Sequence, residues 1–212
     1  MKCGTTASIF TYAYLSGLVD ELRGALTLTL VSDEETGGRW GSGYLVEHHA
    51  DEVLGDCVLN GEPSSPHTIR FGEKAMFWMK FSIRTPGGHS AYPHVSTSAN
   101  RIAAALIRDL ESLESLVPAT PETVARALGG SDALAGAERG LGAGAAAFLQ
   151  KVTLNVGVMR GGVKVNMLPA SCEIEADARL PVGVDRDDVR RAVERIVARY
   201  PEVTWEEGRA SA

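Results

Sequence analysis

The stretch "SCEIEADARLP" at residues 171–181 alternates with a period of two, setting Cys172, Ile174, Ala176, Ala178 and Leu180 against Glu173, Glu175, Asp177 and Arg179. Successive side chains of a strand point to opposite faces, so the pattern calls for a strand with one dry and one wet face. Such strands belong to antiparallel sheets, and the dry face needs a cover.

The neighbouring sequence supplies both the sheet and its cover. In "DRDDVRRAVERIVARYP", Asp185 can cap a helix whose first turn is acidic. Val189, Val193, Ile196, Val197 and Tyr200 form its apolar stripe, and Pro201 stops it. "EVTWEE" (202–207) then closes as an edge strand. Upstream, "KVTLNVGVMRGGVKVNMLPASCEIEADARLP" gives two or three antiparallel strands around a Gly-Gly turn. Before it lie a longer strand, "FGEKAMFWMKFSIRT", a break at "PGG" (86–88) and a helix over 98–117. The sum is a small α+β unit, an antiparallel sheet with two helices on one face. Residues 118–147, rich in Ala and Gly, read as a surface excursion without an assigned function.

The first 70 residues have another character. Ile9, Phe10, Ala13, Leu15, Leu18 and Leu22 recur at helical intervals over 5–23, and "ALTLTLV" (25–31) reads as a strand buried in a sheet. A helix over 41–53 and a strand in "DCVLNGEPSS" (56–65) would complete a parallel strand–helix–strand unit. The expected fold class is therefore α/β: a partial parallel-sheet domain up to about residue 70, followed by the small α+β domain.

That parallel unit makes the loop "SDEETGG" (32–38) of interest. Ligands of open α/β sheets collect beyond the carboxyl ends of the strands, and both strands here run out into acids. Glu34, Glu35 and Glu62 would share one crevice. Adjacent residues in an extended turn diverge, so Glu34 and Glu35 cannot flank one bond as a paired acid and base, and a glycosidase pair is excluded. They can divide two tasks, one binding a metal and the other taking a proton from water on it, with Glu62 as a further oxygen ligand.

Composition narrows the function further. The chain has 212 residues, 44% hydrophobic and 23% charged, with a net charge of −6. It carries no basic cluster to hold a nucleic acid or an anionic membrane. Its three cysteines, Cys3, Cys57 and Cys172, lack paired spacing and are expected to be reduced. No apolar run is long enough to span a bilayer, and Thr, Ser and Tyr interrupt the apolar start, so a cytoplasmic protein is expected.

In sequence order, "SDEETGG", "DCVLNGEPSS", "TPGGHSAYPH" and "RGGVKVNMLPASCEIEADARLP" resemble the di-zinc aminoacylase and metallopeptidase family of acetylornithine deacetylase, succinyl-diaminopimelate desuccinylase and glutamate carboxypeptidase. The four blocks cover most of residues 27–182. The resemblance implies two Zn2+ per active site, with Co2+ or Mn2+ as possible replacements. Glu34 would be the general base, and Glu35 and Glu62 would each ligate a metal. His89 would reach across a homodimer interface to stabilise the oxyanion in the partner's site, while Asn166 and Arg179 would hold the substrate carbonyl and carboxylate. Without the motif, His89 is a surface-loop histidine and Arg179 one more charge on a wet strand face. The implied domains are a partial catalytic domain (1–70), a dimerisation or lid domain (71–207) and the start of a return to the catalytic domain (208–212). The implied activity is hydrolysis of an amide in N-acyl amino acids or small peptides.

The sequence also departs from that family. His48, His49, His67 and His94 form no His-x-Asp or His-x-x-x-His pattern, and His48 and His49, on the expected helix, read as surface residues. The family's bridging Asp stands just before a Met-Lys pair resembling Met1 and Lys2, and its last histidine ligand comes from the chain's end. The expectation is a piece of a longer hydrolase, inactive alone. The alternative is a non-catalytic dimerisation or binding module that keeps the acids as relics.

Overall fold

The structure, a computed structural model, describes residues 2–62, 65 and 68–208. The chain forms two compact units, residues 1–66 with 210–212, and residues 67–209.

The second unit is built on the alternating strand. β1 (Ala75–Arg84), β3 (Thr153–Gly161), β5 (Ser171–Leu180) and β6 (Val203–Gly208) form one antiparallel sheet in the order β3-β5-β1-β6. A two-residue ribbon pairs β2 (Gly88–His89) with β4 (Met167–Leu168). In register, Ala75 faces Leu180 and Arg84 faces Ser171, so the dry residues of β1 and β5 share one face. That face is Phe77, Met79, Phe81 and Ile83 from β1 with Cys172, Ile174, Ala176, Ala178 and Leu180 from β5, all buried.

Two helices cover it. α4 (Ala99–Leu110) contributes Ala99, Ile102, Ala103, Leu106 and Leu110, and α7 (Arg186–Val197) contributes Val189, Ala192, Val193 and Ile196. The expected cap is present, the Asp185 carboxylate accepting from the Asp187 N–H at 2.6 Å. The Ala/Gly-rich excursion folds as α5 (Glu122–Gly129) and α6 (Ser131–Leu141). The Glu138 carboxylate then pins the following turn by accepting from the Gly144 and Ala146 N–H groups at 2.6 and 2.9 Å.

The first unit departs from its expected form. Its described residues contain helices and no strand: α1 (Lys2–Ser16), α2 (Tyr44–His48) and α3 (Ala50–Val53), with a 3-10 turn at Val19–Glu21 and a π-type turn at Arg39–Gly43. Residues 25–31 and the described part of 56–65 run irregularly, so the expected parallel unit is not formed. The physical reason is that a strand exists only as part of a ladder. Its N–H and C=O groups need a neighbour on at least one side, and neither segment meets one among the described residues. The single helix expected over 41–53 is broken into short pieces, and α1 ends at Ser16 with none of its residues buried.

His67 and residues 209–212, most of the expected return segment, lie outside the described residues. Cys3, Cys57 and Cys172 are free thiols. Among the described residues no helix is long and apolar enough to cross a membrane.

Candidate functional site

The acidic loop is organised by its first acid. The Asp33 carboxylate accepts from the Trp40 N–H at 2.7 Å, and its carbonyl accepts from the N–H groups of Thr36 and Gly38 at 3.1 and 2.9 Å and from the Thr36 hydroxyl at 3.0 Å. Gly41 lies so near that a Cβ there would fall 2.2 Å from Asp33 Oδ1. Asp33 is therefore the hub on which residues 33–41 fold, a role its sequence position alone does not reveal.

Glu34 and Glu35 sit on the 3-10 turn Glu34–Thr36, both exposed. Consecutive residues of such a turn are about 120° apart, so the two carboxylates diverge. Glu62 is exposed as well, its N–H donating to the Asn60 side-chain oxygen at 3.0 Å. Among the described residues the crevice expected to unite Glu34, Glu35 and Glu62 is not formed, because neither of the two segments that would carry them is a strand there. Among the described residues no group of three or more His, Cys, Asp or Glu is placed to hold a metal ion. A catalytic zinc needs about three protein ligands. The described residues do not fit the di-metal centre that the resemblance implies.

The second unit does bring two predicted residues together. The ribbon places His89 beside Asn166, His89 Nε2 lying 3.4 Å from Asn166 Nδ2, and the Ser90 N–H bonds to the Asn166 carbonyl at 3.0 Å. His89 Nδ1 accepts from the Ala91 N–H at 3.2 Å. The donor of the Asn166–His89 bond is set by the histidine tautomer, and the ribbon brings an imidazole and a side-chain amide side by side. The rings of Tyr92 and His94 flank this ribbon, Tyr92 lying 6.1 Å from His89 and 6.3 Å from His94.

Arg179 lies elsewhere. It stands near the end of β5, opposite Met76 and Thr153, and donates from Nε to Asp177 Oδ2 at 2.8 Å. It lies eight positions after Ser171, about 26 Å along the strand at ~3.3 Å per residue. One copy of this unit thus carries the His89–Asn166 contact and the Arg179 guanidinium at separate places. Asp177 as the partner of Arg179 was readable in "DAR", since residues two apart share a strand face.

An antiparallel sheet covered by two helices, with a histidine displayed on an exposed ribbon, defines a small α+β domain. Residues 71–203 match the family described as the peptidase dimerisation domain. The chain belongs to the M20 metallopeptidase family, whose relatives are hydrolases and whose membership implies a divalent metal cofactor.

A probable carboxypeptidase of Aspergillus terreus is 28% identical over 231 aligned positions, covering 98% of this chain and 45% of that protein. The succinyl-diaminopimelate desuccinylase of Wolinella succinogenes is 34% identical over 98 positions, covering 44% of this chain and 26% of the relative. In structure, an aminobenzoyl-glutamate utilization protein of Klebsiella pneumoniae is similar with a TM-score of 0.41 and 18% identity, over 66% of this chain and 30% of that one. The chain thus spans less than half the length of these relatives.

Proposed function

We propose that this chain is the dimerisation part, with a portion of the catalytic part, of a metal-dependent hydrolase that cleaves an amide bond of N-acyl amino acids or small peptides in a deacetylase- or desuccinylase-like reaction. The supporting observation is the His89 imidazole and the Asn166 side-chain amide, Nε2 and Nδ2 lying 3.4 Å apart on the ribbon, two groups that can each donate to a carbonyl oxygen. Preorganised donors of this kind stabilise the oxygen of a tetrahedral intermediate. In a homodimer through residues 71–207, the ribbon of one subunit serves the site of the other, and Arg179 takes the substrate carboxylate from its own end of the sheet. The roles of Glu34 as base and of Glu35 and Glu62 as ligands need partners that the described residues do not supply, so the metal centre, with zinc first and cobalt or manganese as replacements, belongs to the assembled enzyme.

The test is to extend the chain through its reading frame in both directions and assay a panel of N-acetyl and N-succinyl amino acids with each metal. The expected result is metal-dependent hydrolysis by a homodimer. His89→Ala should lower kcat by about 10²- to 10³-fold, as loss of an oxyanion donor does, with a smaller change in KM. Absence of amide hydrolysis with zinc, cobalt and manganese alike would overturn the reading.

A second reading, a non-catalytic dimerisation module, is favoured by one observation. Every buried apolar residue of the described chain lies between Phe77 and Val203, so the core is complete without a catalytic domain. This reading expects a stable dimer of the chain alone and no hydrolysis.

A further inference from the structure

A groove of about 360 Å³ runs between α7 and the 3-10 turn Glu111–Ser115 that follows α4. Ser112, Ser115 and Leu116 line one wall, and Arg195, Ile196 and Arg199 line the other, while His89, Asn166 and Arg179 lie outside it. The arginines of this region differ in one respect. Arg186 and Arg190 bond to Glu207, Arg191 pairs with Asp188, and Arg199, just past the end of α7, pairs with Asp109 at 3.0 Å. Arg195 is exposed and has no hydrogen bond or ion pair among the described residues. No acid among the described residues lines the groove to neutralise it. Asp109 is held by Arg199 and the Tyr200 hydroxyl, and Glu114 by the Leu154 N–H at 2.9 Å.

The serines decide what can accompany that charge. The Ser112 hydroxyl donates to the Asp109 carbonyl and the Ser115 hydroxyl to the Ser112 carbonyl, both at 2.6 Å, and both side chains are exposed. A hydroxyl has one hydrogen, so each serine offers only its lone pairs to a ligand. The groove therefore combines an unmatched cation, a pair of acceptor oxygens that call for N–H donors, and the half-buried apolar side chain of Leu116.

We propose that this groove docks an acidic peptide segment of a partner protein. A glutamate or aspartate of the segment pairs with Arg195, its backbone N–H groups donate to the serine oxygens, and an apolar side chain covers Leu116. The planar guanidinium and the carboxylate supply the strongest single contact. A small anion such as phosphate meets Arg195 but leaves the serine oxygens without donors, so the hydroxyls select for peptide. This goes beyond the hydrolase reading and does not depend on it.

The test is a titration of the whole chain, followed by backbone amide NMR, with the blocked peptide acetyl-Leu-Glu-Ile-Glu-amide, its counterpart acetyl-Leu-Gln-Ile-Gln-amide, and inorganic phosphate. The expected result is saturable movement of the Ser112, Ser115, Leu116, Arg195 and Arg199 amides. The Glu peptide should bind about tenfold more tightly than the Gln peptide or phosphate, the equivalent of one charge-assisted hydrogen bond. Arg195→Ala should abolish that preference. Arg191→Ala, on the same helix but paired with Asp188 outside the groove, should leave it intact. Both side chains are exposed, and the same spectra report whether each variant stays folded.

The proposal is overturned by an absence of movement at millimolar peptide, by equal binding of the Glu and Gln peptides, by phosphate binding as tightly as the Glu peptide, or by binding indifferent to Arg195→Ala. A Glu peptide that binds only by splitting a dimer of the chain would also overturn it, because the groove would then belong to a second copy. None of these outcomes touches the hydrolase reading, which is tested by turnover.

Discussion

At the scale of single residues, the acidic loop divides into one acid that holds the fold and two that are free of it. Asp33 accepts the Trp40 N–H across seven residues, while Glu34 and Glu35 are exposed. Asp33→Ala should therefore destabilise the loop by about 1–2 kcal/mol, the usual cost of removing a charged acceptor from a backbone N–H. Glu34→Gln should change stability by less than about 0.5 kcal/mol. Amide exchange at Trp40 separates the two, and equal exchange in both variants would contradict the assignment. The sequence made the acids conspicuous but not their division of labour, because that depends on which N–H the folded loop returns to Asp33. His89 and Asn166 were legible only through the motif. Nothing in spacing predicts that residues 77 apart will sit 3.4 Å from one another.

At the scale of elements, β5 and α7 were legible because each carries its own period, two for the strand and near 3.6 for the helix, and each buries one face. "ALTLTLV" has the composition of a strand, but a strand is a property of a pair, and a single segment cannot announce its partner. α7 is fastened to β6 by a cluster that periodicity did not reveal. Glu207 accepts from Arg186 Nε at 2.7 Å and from Arg190 Nη2 at 2.7 Å, and Arg186 also donates to the Met76 carbonyl at 2.9 Å. Burial pushes the Glu207 carboxyl up, but the hydrogen bonds from Arg190 and Arg186, with their charges, outweigh it and hold it below the usual carboxylate range. A carboxyl depressed in the folded state stabilises the fold above its unfolded value of about 4.3. That contribution fades as pH falls through the folded value. Glu207→Gln should lower stability by about 1–2 kcal/mol at neutral pH, and the gap from the parent should close in strong acid. Denaturant titrations at several pH values read both quantities, and a gap that persists unchanged in acid would remove Glu207 as its source.

At the scale of the whole molecule, cohesion is unevenly shared between the two units. All the buried apolar side chains of the described residues fall between Phe77 and Val203, and Phe81, fully buried, sits in the middle of β1 with its ring stacked 6.2 Å from Trp205. Emptying that position leaves a large void beneath two helices, so Phe81→Ala should cost about 3–5 kcal/mol, enough to threaten the fold of the second unit. The first unit has no comparable core among its described residues, and Ile9, Phe10, Tyr14, Leu30, Trp40, Val58 and Leu59 are all exposed there. Opening such a unit to a protease costs little free energy, whereas opening the sheet requires global unfolding of its core. Limited proteolysis of the whole chain should therefore cut first within residues 1–66 and leave a resistant product containing 75–208. In Phe81→Ala that product should disappear while the early cuts keep their rate. Early cuts inside β1 or β5 of the parent chain would show that the sheet depends on the first unit for its stability.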